Sequence, residues 1–318
     1  MIPSILDSFE LQGPNGTHAC YVTRPEMMSL SDAKDASYNR LFKLEVARAL
    51  AGQLAIAVNY VHSQGVAHGD IHFGNVLIQM PSVFNYEKLD PPELVAITRF
   101  DGKELGPCIP SHATLPVWLG EASDDLSLSK ATILLSDFGE SFHPATEARF
   151  HSHSPHIYRA PKTRFEPAKP ISFPSDIWSL ACTIWDIVGQ SPLFEGFLAD
   201  EDDITREQVD ALGILPLEWW DKWDARRNKF SVDGKPMNRA LSRGSFRSWD
   251  DRFEDSVQEP RRVEGMAMFE PAERDALFEM LRLMLTFRPG GRPSAREVLA
   301  SEWMVKWALP EAERVRKS

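Results

Sequence analysis

The sequence predicts an α+β protein, a short β-rich start followed by a mainly helical body. Three observations carry this. Residues 1–25 hold two apolar runs separated by Gly13-Pro14-Asn15-Gly16, a turn sequence. Between residues 41 and 61, Phe42, Val46, Leu50, Leu54, Ala57, Val58 and Val61 recur at three- and four-residue spacing. Asp176 to Val188 is apolar nearly all round, the pattern of a helix buried on every side. A few short strands beside a mainly helical body belong to the α+β class.

Taken in order, Ile5, Phe9 and Leu11 alternate loosely, and Ala19-Cys20-Tyr21-Val22 makes the second strand. Two strands alone do not make a stable sheet. Residues 26–40 read as a polar linker. The 41–61 helix ends at Gly65, and a short strand, Val76-Leu77-Ile78, follows. Residues 80–130 are rich in Pro, Asp, Ser and Gly and weakly periodic, too long for a connection inside a compact domain. The segment 79–130 is therefore an insertion, partly ordered at best. Ile133-Leu134-Leu135 is a strand, and residues 140–170 form an irregular loop with five prolines and four histidines. Helices are expected at 172–190, 206–227, 272–287 and 294–308, with 228–262 charged and turn-rich. No internal repeat is present.

The chain has 318 residues, 43% hydrophobic and 25% charged, ordinary for a soluble globular protein with ample core. No apolar run approaches the roughly 18 residues of a membrane span. The N-terminus lacks the basic region, apolar stretch and cleavage site of a secretory signal. Three scattered cysteines, Cys20, Cys108 and Cys182, read as reduced thiols in the cytoplasm or nucleus. The net charge of −11 speaks against nucleic acid and is compatible with a basic protein substrate.

Chemistry enters with two motifs, His68-Gly69-Asp70-Ile71-His72-Phe73-Gly74-Asn75 and, further on, Asp137-Phe138-Gly139. Each puts a carboxylate where phosphoryl transfer needs one. Asp70 can orient a hydroxyl and accept its proton, and Asn75 and Asp137 can hold Mg²⁺ against a nucleotide's phosphates. No Gly-x-Gly-x-x-Gly occurs, and the first lysine is Lys34.

These motifs, followed by Tyr158-Arg159-Ala160-Pro161, Asp176-Ile177-Trp178-Ser179 and Arg292-Pro293-Ser294-Ala295, resemble the eukaryotic protein kinase series in order and approximate spacing. Five such motifs in order on compatible elements make a specific signal. Asp-Ser-Phe-Glu-Leu near the start and Asn15-Gly16-Thr17-His18 resemble the SR-protein kinases, a Ser/Thr group. Gly69 and the long insertion look like its fungal members.

The resemblance implies a protein-kinase-like fold. Residues 1–25 would be a remnant of the small lobe and hinge, and 26–318 the large lobe. It implies Asp70 as the catalytic-loop aspartate, Asn75 and Asp137 as metal ligands, and His72 beside the ATP γ-phosphate. His68 would pack beneath Phe138 of the Asp-Phe-Gly turn, which ends in Gly139. Asp176 would accept hydrogen bonds from the catalytic-loop backbone, and Arg292 would support the fold. ATP, Mg²⁺ and an Arg/Ser-rich protein substrate are the implied partners, with a monomer expected.

Four departures from the family pattern stand out. Gly69 replaces the arginine before the catalytic aspartate, and His72 replaces a lysine that would clamp a γ-phosphate more firmly. Lys162 replaces the glutamate that pairs with Arg292, leaving Glu166 as the candidate to compensate. The Gly-rich loop, strand lysine and helix glutamate have no counterpart in the sequence, so the chain by itself is expected to be a very poor catalyst.

Other signals have plainer explanations. His151, His153 and His156 fit no common zinc spacing and read as solvated loop histidines. Trp219, Trp220 and Trp223 read as a packed helix face. Asp200-Glu201-Asp202-Asp203 reads as a helix cap rather than a docking site for arginines. Two other functions compete. His-Gly-Asp-x-His-x-x-Asn also resembles small-molecule phosphotransferases, although those lack the later motifs. A pseudokinase or truncated kinase acting as a binding module is the non-enzymatic alternative.

Overall fold

The computed structural model describes all residues except 14, 82–92, 108, 116, 232–233, 235–246 and 318. Pro14 of the first turn, Cys108, part of the insertion and part of the 228–262 segment therefore lie outside the described residues.

The chain opens with a hairpin, β1 (Asp7–Gly13) antiparallel to β2 (Gly16–Val22), exposed along nearly its whole length. Next come β3 (Glu26–Ser29), α1 (Leu30–Asp35) and the 20-residue α2 (Leu44–Ser63). The expected linker at 26–40 is thus a strand and a helix. Its polar residues are a capping box: the Ser29 hydroxyl accepts from Asp32 N–H and the Asp32 carboxylate from Ser29 N–H. Leu30 and Ala33 face the core, and even Lys34 is buried.

Strand β4 (Val76–Gln79) pairs with β3 on one side and with β7 (Ile133–Leu135) on the other, both antiparallel. Within the insertion, β5 (Leu94–Ala96) and β6 (His112–Thr114) make a small exposed hairpin. After a one-turn helix, α3 (Lys162–Phe165), comes α4 (Phe173–Val188). Every residue of α4 from Asp176 to Val188 is buried. Trp178 lies against Phe194 and Phe287, and Trp185 against Trp249 and Phe253.

The expected 206–227 helix is three pieces: α5 (Glu201–Leu212), α6 (Leu217–Trp220) and α7 (Arg226–Lys229). Gly213, at φ +90°, and Pro216 stop the first of them. Trp219, Trp220 and Trp223 are buried. Of the charged 228–262 stretch, the described part from residue 249 onward is helical. The short helices α8 (Trp249–Phe253) and α9 (Glu259–Val263) are joined by a π-helical stretch. Trp249, Phe253, Val257 and Arg261, four residues apart, are all buried. A stripe so narrow among charges is easily missed, and a Ser248–Asp251 capping box starts it. Helix α10 (Pro271–Met284) follows. The expected 294–308 helix divides into α11 (Ala295–Leu299) and a second run through α12 (Leu309–Lys317), which packs on α2.

Candidate active site

Asp176, in the first turn of α4, is 2% exposed, and three donors converge on it. His68 N–H donates to Oδ2 at 2.7 Å, Gly69 N–H to Oδ1 at 2.9 Å, and His62 Nε2 to Oδ2 at 2.9 Å. A buried carboxylate is tolerable here because each oxygen is bonded and the N-terminal end of the helix favours negative charge. The loop carrying Asp70 is thereby fixed to the core helix.

His68 is buried too, and its ring lies 4.7 Å from that of Phe138. Its Nε2 donates to the Ser136 carbonyl at 2.9 Å, so Nδ1 accepts from Asp70 N–H at 3.3 Å. Burial pushes its pKa down against the pull of Asp176 and keeps the ring neutral. A second tie joins the two motif segments where Ala67 and Phe142 exchange backbone hydrogen bonds.

The β4–β7 register places Val76 opposite Leu135, so Asn75 and Ser136 meet at one end of the sheet. Ser136 donates to the Asn75 carbonyl through both its N–H and its hydroxyl, each at 2.9 Å. Asp137 comes next, in the left-handed region at φ +57°, with Oδ1 accepting from Gly139 N–H and its side chain exposed. Antiparallel pairing thus brings the two motifs to one sheet end across some sixty intervening residues.

At Asp70 the two oxygens differ. Oδ2 receives Asn75 Nδ2 at 3.3 Å and lies 3.5 Å from His72 Nε2, whereas Oδ1 is buried with no hydrogen-bond partner. Burial pulls the Asp70 pKa upward, but its polar neighbours, His72 foremost, outweigh it and the carboxyl stays below its ordinary value. His72 Nδ1 accepts from Gly74 N–H at 3.1 Å, which leaves the ring proton on Nε2, facing Asp70.

Several sequence expectations take a different form. Glu166 does not compensate at Arg292, because it pairs with Lys169 at 2.7 Å. Arg292 instead donates to the carbonyls of Thr286, Pro174 and Phe287 and lies over the Trp178 ring. Burial lowers its pKa to about 9. Asp200 caps α5, Glu201 lies beside Arg159, Asp202 bonds Arg164 and Trp223, and Asp203 bonds Lys229, so all four acids are engaged within the fold. His153 lies beside Glu140 and His156 beside Glu201. Among the described residues no group of three His, Cys, Asp or Glu could hold a metal, and no helix is long and apolar enough to cross a membrane.

Reading by motif missed the packing role of Lys34 and the partner of Tyr158. Lys34 donates to the carbonyls of Asp186 and Gly189 at the end of α4 and lies over the Phe73 ring. Tyr158, whose ring lies 5.8 Å from that of His72, donates its hydroxyl to Asp186. Only the tertiary fold brings Lys34 to that helix end.

Fold and site together define the class: a protein-kinase-like α+β fold with a helical large lobe. No family model matches the sequence. Curated relatives do. A serine/threonine protein kinase of Aspergillus fumigatus is 25% identical over 318 residues, 96% of this chain and 69% of that protein. Human dual specificity protein kinase CLK1 is 24% identical over 302 residues, 93% of this chain and 51% of its own length. Protein kinase dsk1 of Schizosaccharomyces pombe is 36% identical over 78 residues, covering 24% and 14%. These similarities support a protein kinase family for the chain.

Proposed function

We propose that the chain carries the phosphoryl-transfer site of an SR-protein-kinase-like serine/threonine kinase, with residues 1–25 a small-lobe remnant and 26–318 the large lobe. The observation that carries this is Asp70, a carboxylate anchored through its loop to Asp176 and held by Asn75 Nδ2. An acceptor held in this way suits a hydroxyl proton.

The donor set fits Mg-ATP. Asn75 and Asp137 offer oxygen ligands of the type a hard cation takes, at one end of the sheet. When bound, Mg-ATP supplies the phosphoryl group and the charge neutralisation that dominates this chemistry. Asp137 and Asn75 would hold the cation. Asn75 Nδ2 steadies Asp70 by donating to its carbonyl at 3.0 Å. The Asp70 carboxylate would orient the substrate hydroxyl and take its proton, and the His72 ring beside it would donate toward the transferred group. The SR-type assignment rests on the N-terminal resemblance and on an overall charge of −11, which favours an Arg/Ser-rich substrate.

A thermal-shift titration tests the reading. Mg-ATP should raise the melting temperature by mass action, and Asp137→Asn should remove the Mg²⁺-dependent part. An unchanged melting temperature at millimolar Mg-ATP would remove the site.

A further inference from the structure

On the flank of the large lobe lies an open groove of about 1110 Å³ that contains none of the motif residues Asp70, Asn75 and Asp137. It runs between the end of α5, the start of α6 and the segment after α10. Leu215, Trp219, Trp249, Leu285 and Phe287 form a buried apolar floor. Ile214 and Leu217 stand at its lip, 46% and 74% exposed. Small-molecule pockets occupy roughly 300–1,000 Å³, so this volume suits a stretch of peptide better.

Charge narrows the occupant. The chain is acidic overall, yet three exposed cations line this groove, Lys169, Arg282 and Arg288. Glu166 pairs with Lys169, and Glu218 pairs with Arg288 at 2.7 Å. Arg282 has no carboxylate partner among the described residues. Its guanidinium lies over Trp249 and Phe278, at 5.4 and 5.5 Å from the ring centroids. The floor adds a second unmet donor. Trp219 is 1% exposed, and its indole N–H has no hydrogen-bond partner. The nearest acceptor is the Glu166 carboxylate, whose pKa both Lys169 and this indole lower, although one of its oxygens already accepts from Lys169.

An unpaired guanidinium and an unpaired N–H over an apolar floor call for acceptors and apolar side chains together. We propose that this groove docks a partner protein through a short segment of spaced large apolar residues flanked by Asp or Glu. An Arg-rich segment would meet like charge here, so this partner segment is not the basic stretch proposed for the active site.

The test reads binding without nucleotide, so it stands or falls apart from the kinase reading. A random-peptide display library is selected on the immobilised full chain, and the enriched peptide is labelled for fluorescence anisotropy. The expected consensus has large apolar residues and carboxylates. Its Kd should rise about tenfold or more in Arg282→Glu and in Leu217→Asp, and should also rise with salt. Both side chains are exposed, so the variants should melt with the wild type. Enrichment of basic peptides, or of none, overturns the proposal. So does affinity unchanged in Arg282→Glu, even if Leu217→Asp weakens it, because the groove would then lack the proposed charge selection.

Discussion

The carbonyl oxygen of Glu140 lies 2.5 Å from where a Cβ on Gly69 would stand, and Gly69 itself has φ +82°. No side chain fits there without moving backbone. The position that would carry a phosphate-reading cation beside Asp70 is therefore closed. The loop is held by its own side chains instead. Arg149 Nη1 donates to the Glu140 carbonyl at 2.9 Å and to its carboxylate at 3.2 Å, and Arg149 Nε donates to Glu147. Ser154, 1% exposed, donates its hydroxyl to the Gly69 carbonyl.

Phosphorylation of the 140–156 loop should accordingly not be needed for function. A full-length protein assayed before and after phosphatase treatment is expected to show equal activity. A large loss traced to this loop would refute the idea. Gly69→Arg should not install a sensor. It should destabilise by about 1–3 kcal/mol or more, read by urea denaturation, through strain and the Glu140 clash.

Asp176→Ala should be among the costliest substitutions at the site. It leaves the His68 and Gly69 N–H groups without their acceptor, each unmet buried donor being worth about 1–3 kcal/mol. Amide exchange at both positions should accelerate in the variant. Protection equal to the wild type would show that Asp176 does not anchor the loop.

The buried pair of Lys34 and Asp186 should give a double-mutant signature. Lys34→Met leaves the Asp186 and Gly189 carbonyls without their donor, at about 1–3 kcal/mol each, and Lys34→Met with Asp186→Asn should recover only the part owed to the Asp186 charge. A double variant no more stable than Lys34→Met would exclude coupling.

The same pair predicts a pH profile. Burial lowers Lys34 to about 7 and raises Asp186 to about 6. Arg40, Arg261 and Asp35 also act on Lys34, Arg40 acts on Asp186, and Tyr158 donates to Asp186. A depressed lysine adds stability at high pH that is lost as pH falls through its folded value. A raised carboxyl adds stability at low pH that is lost as pH rises through its folded value. The pair is thus least favourable between about pH 6 and 7. Urea denaturation from acid to alkaline pH should show that dip shallower in the double variant.

The purified chain should turn over an Arg/Ser-repeat peptide far below about 1 s⁻¹ with Mg-ATP. The first lysine available, Lys34, is buried and bonded to the Asp186 and Gly189 carbonyls, so it cannot serve the phosphates. Losing one charge-stabilising contact typically costs about 10²–10³ in rate. Turnover near that ceiling, abolished by Asp70→Asn, would show that the chain suffices.

The sequence by itself determined where the kinase-like motifs stand and where the core helix runs. Asp70, Asn75 and Asp137 sit in contiguous motifs, and the all-round apolar pattern of α4 follows from burial on every side, which is local information. It did not reveal α1 or the helical stretch before residue 263. There the buried faces are narrow and the flanking charges are solvated or serve as caps. What only the tertiary structure decided is which distant residues meet. The β4–β7 register brings Asn75 to Ser136 and Asp137, and the closeness of Glu140 to Gly69 explains why the arginine position is a glycine. Lys34 looks like a linker lysine until α1 docks it on the end of α4, where the carbonyls of Asp186 and Gly189 and the Asp186 carboxylate make its burial tolerable. Such pairings depend on desolvation and on contacts between segments far apart in sequence, and no local pattern encodes them.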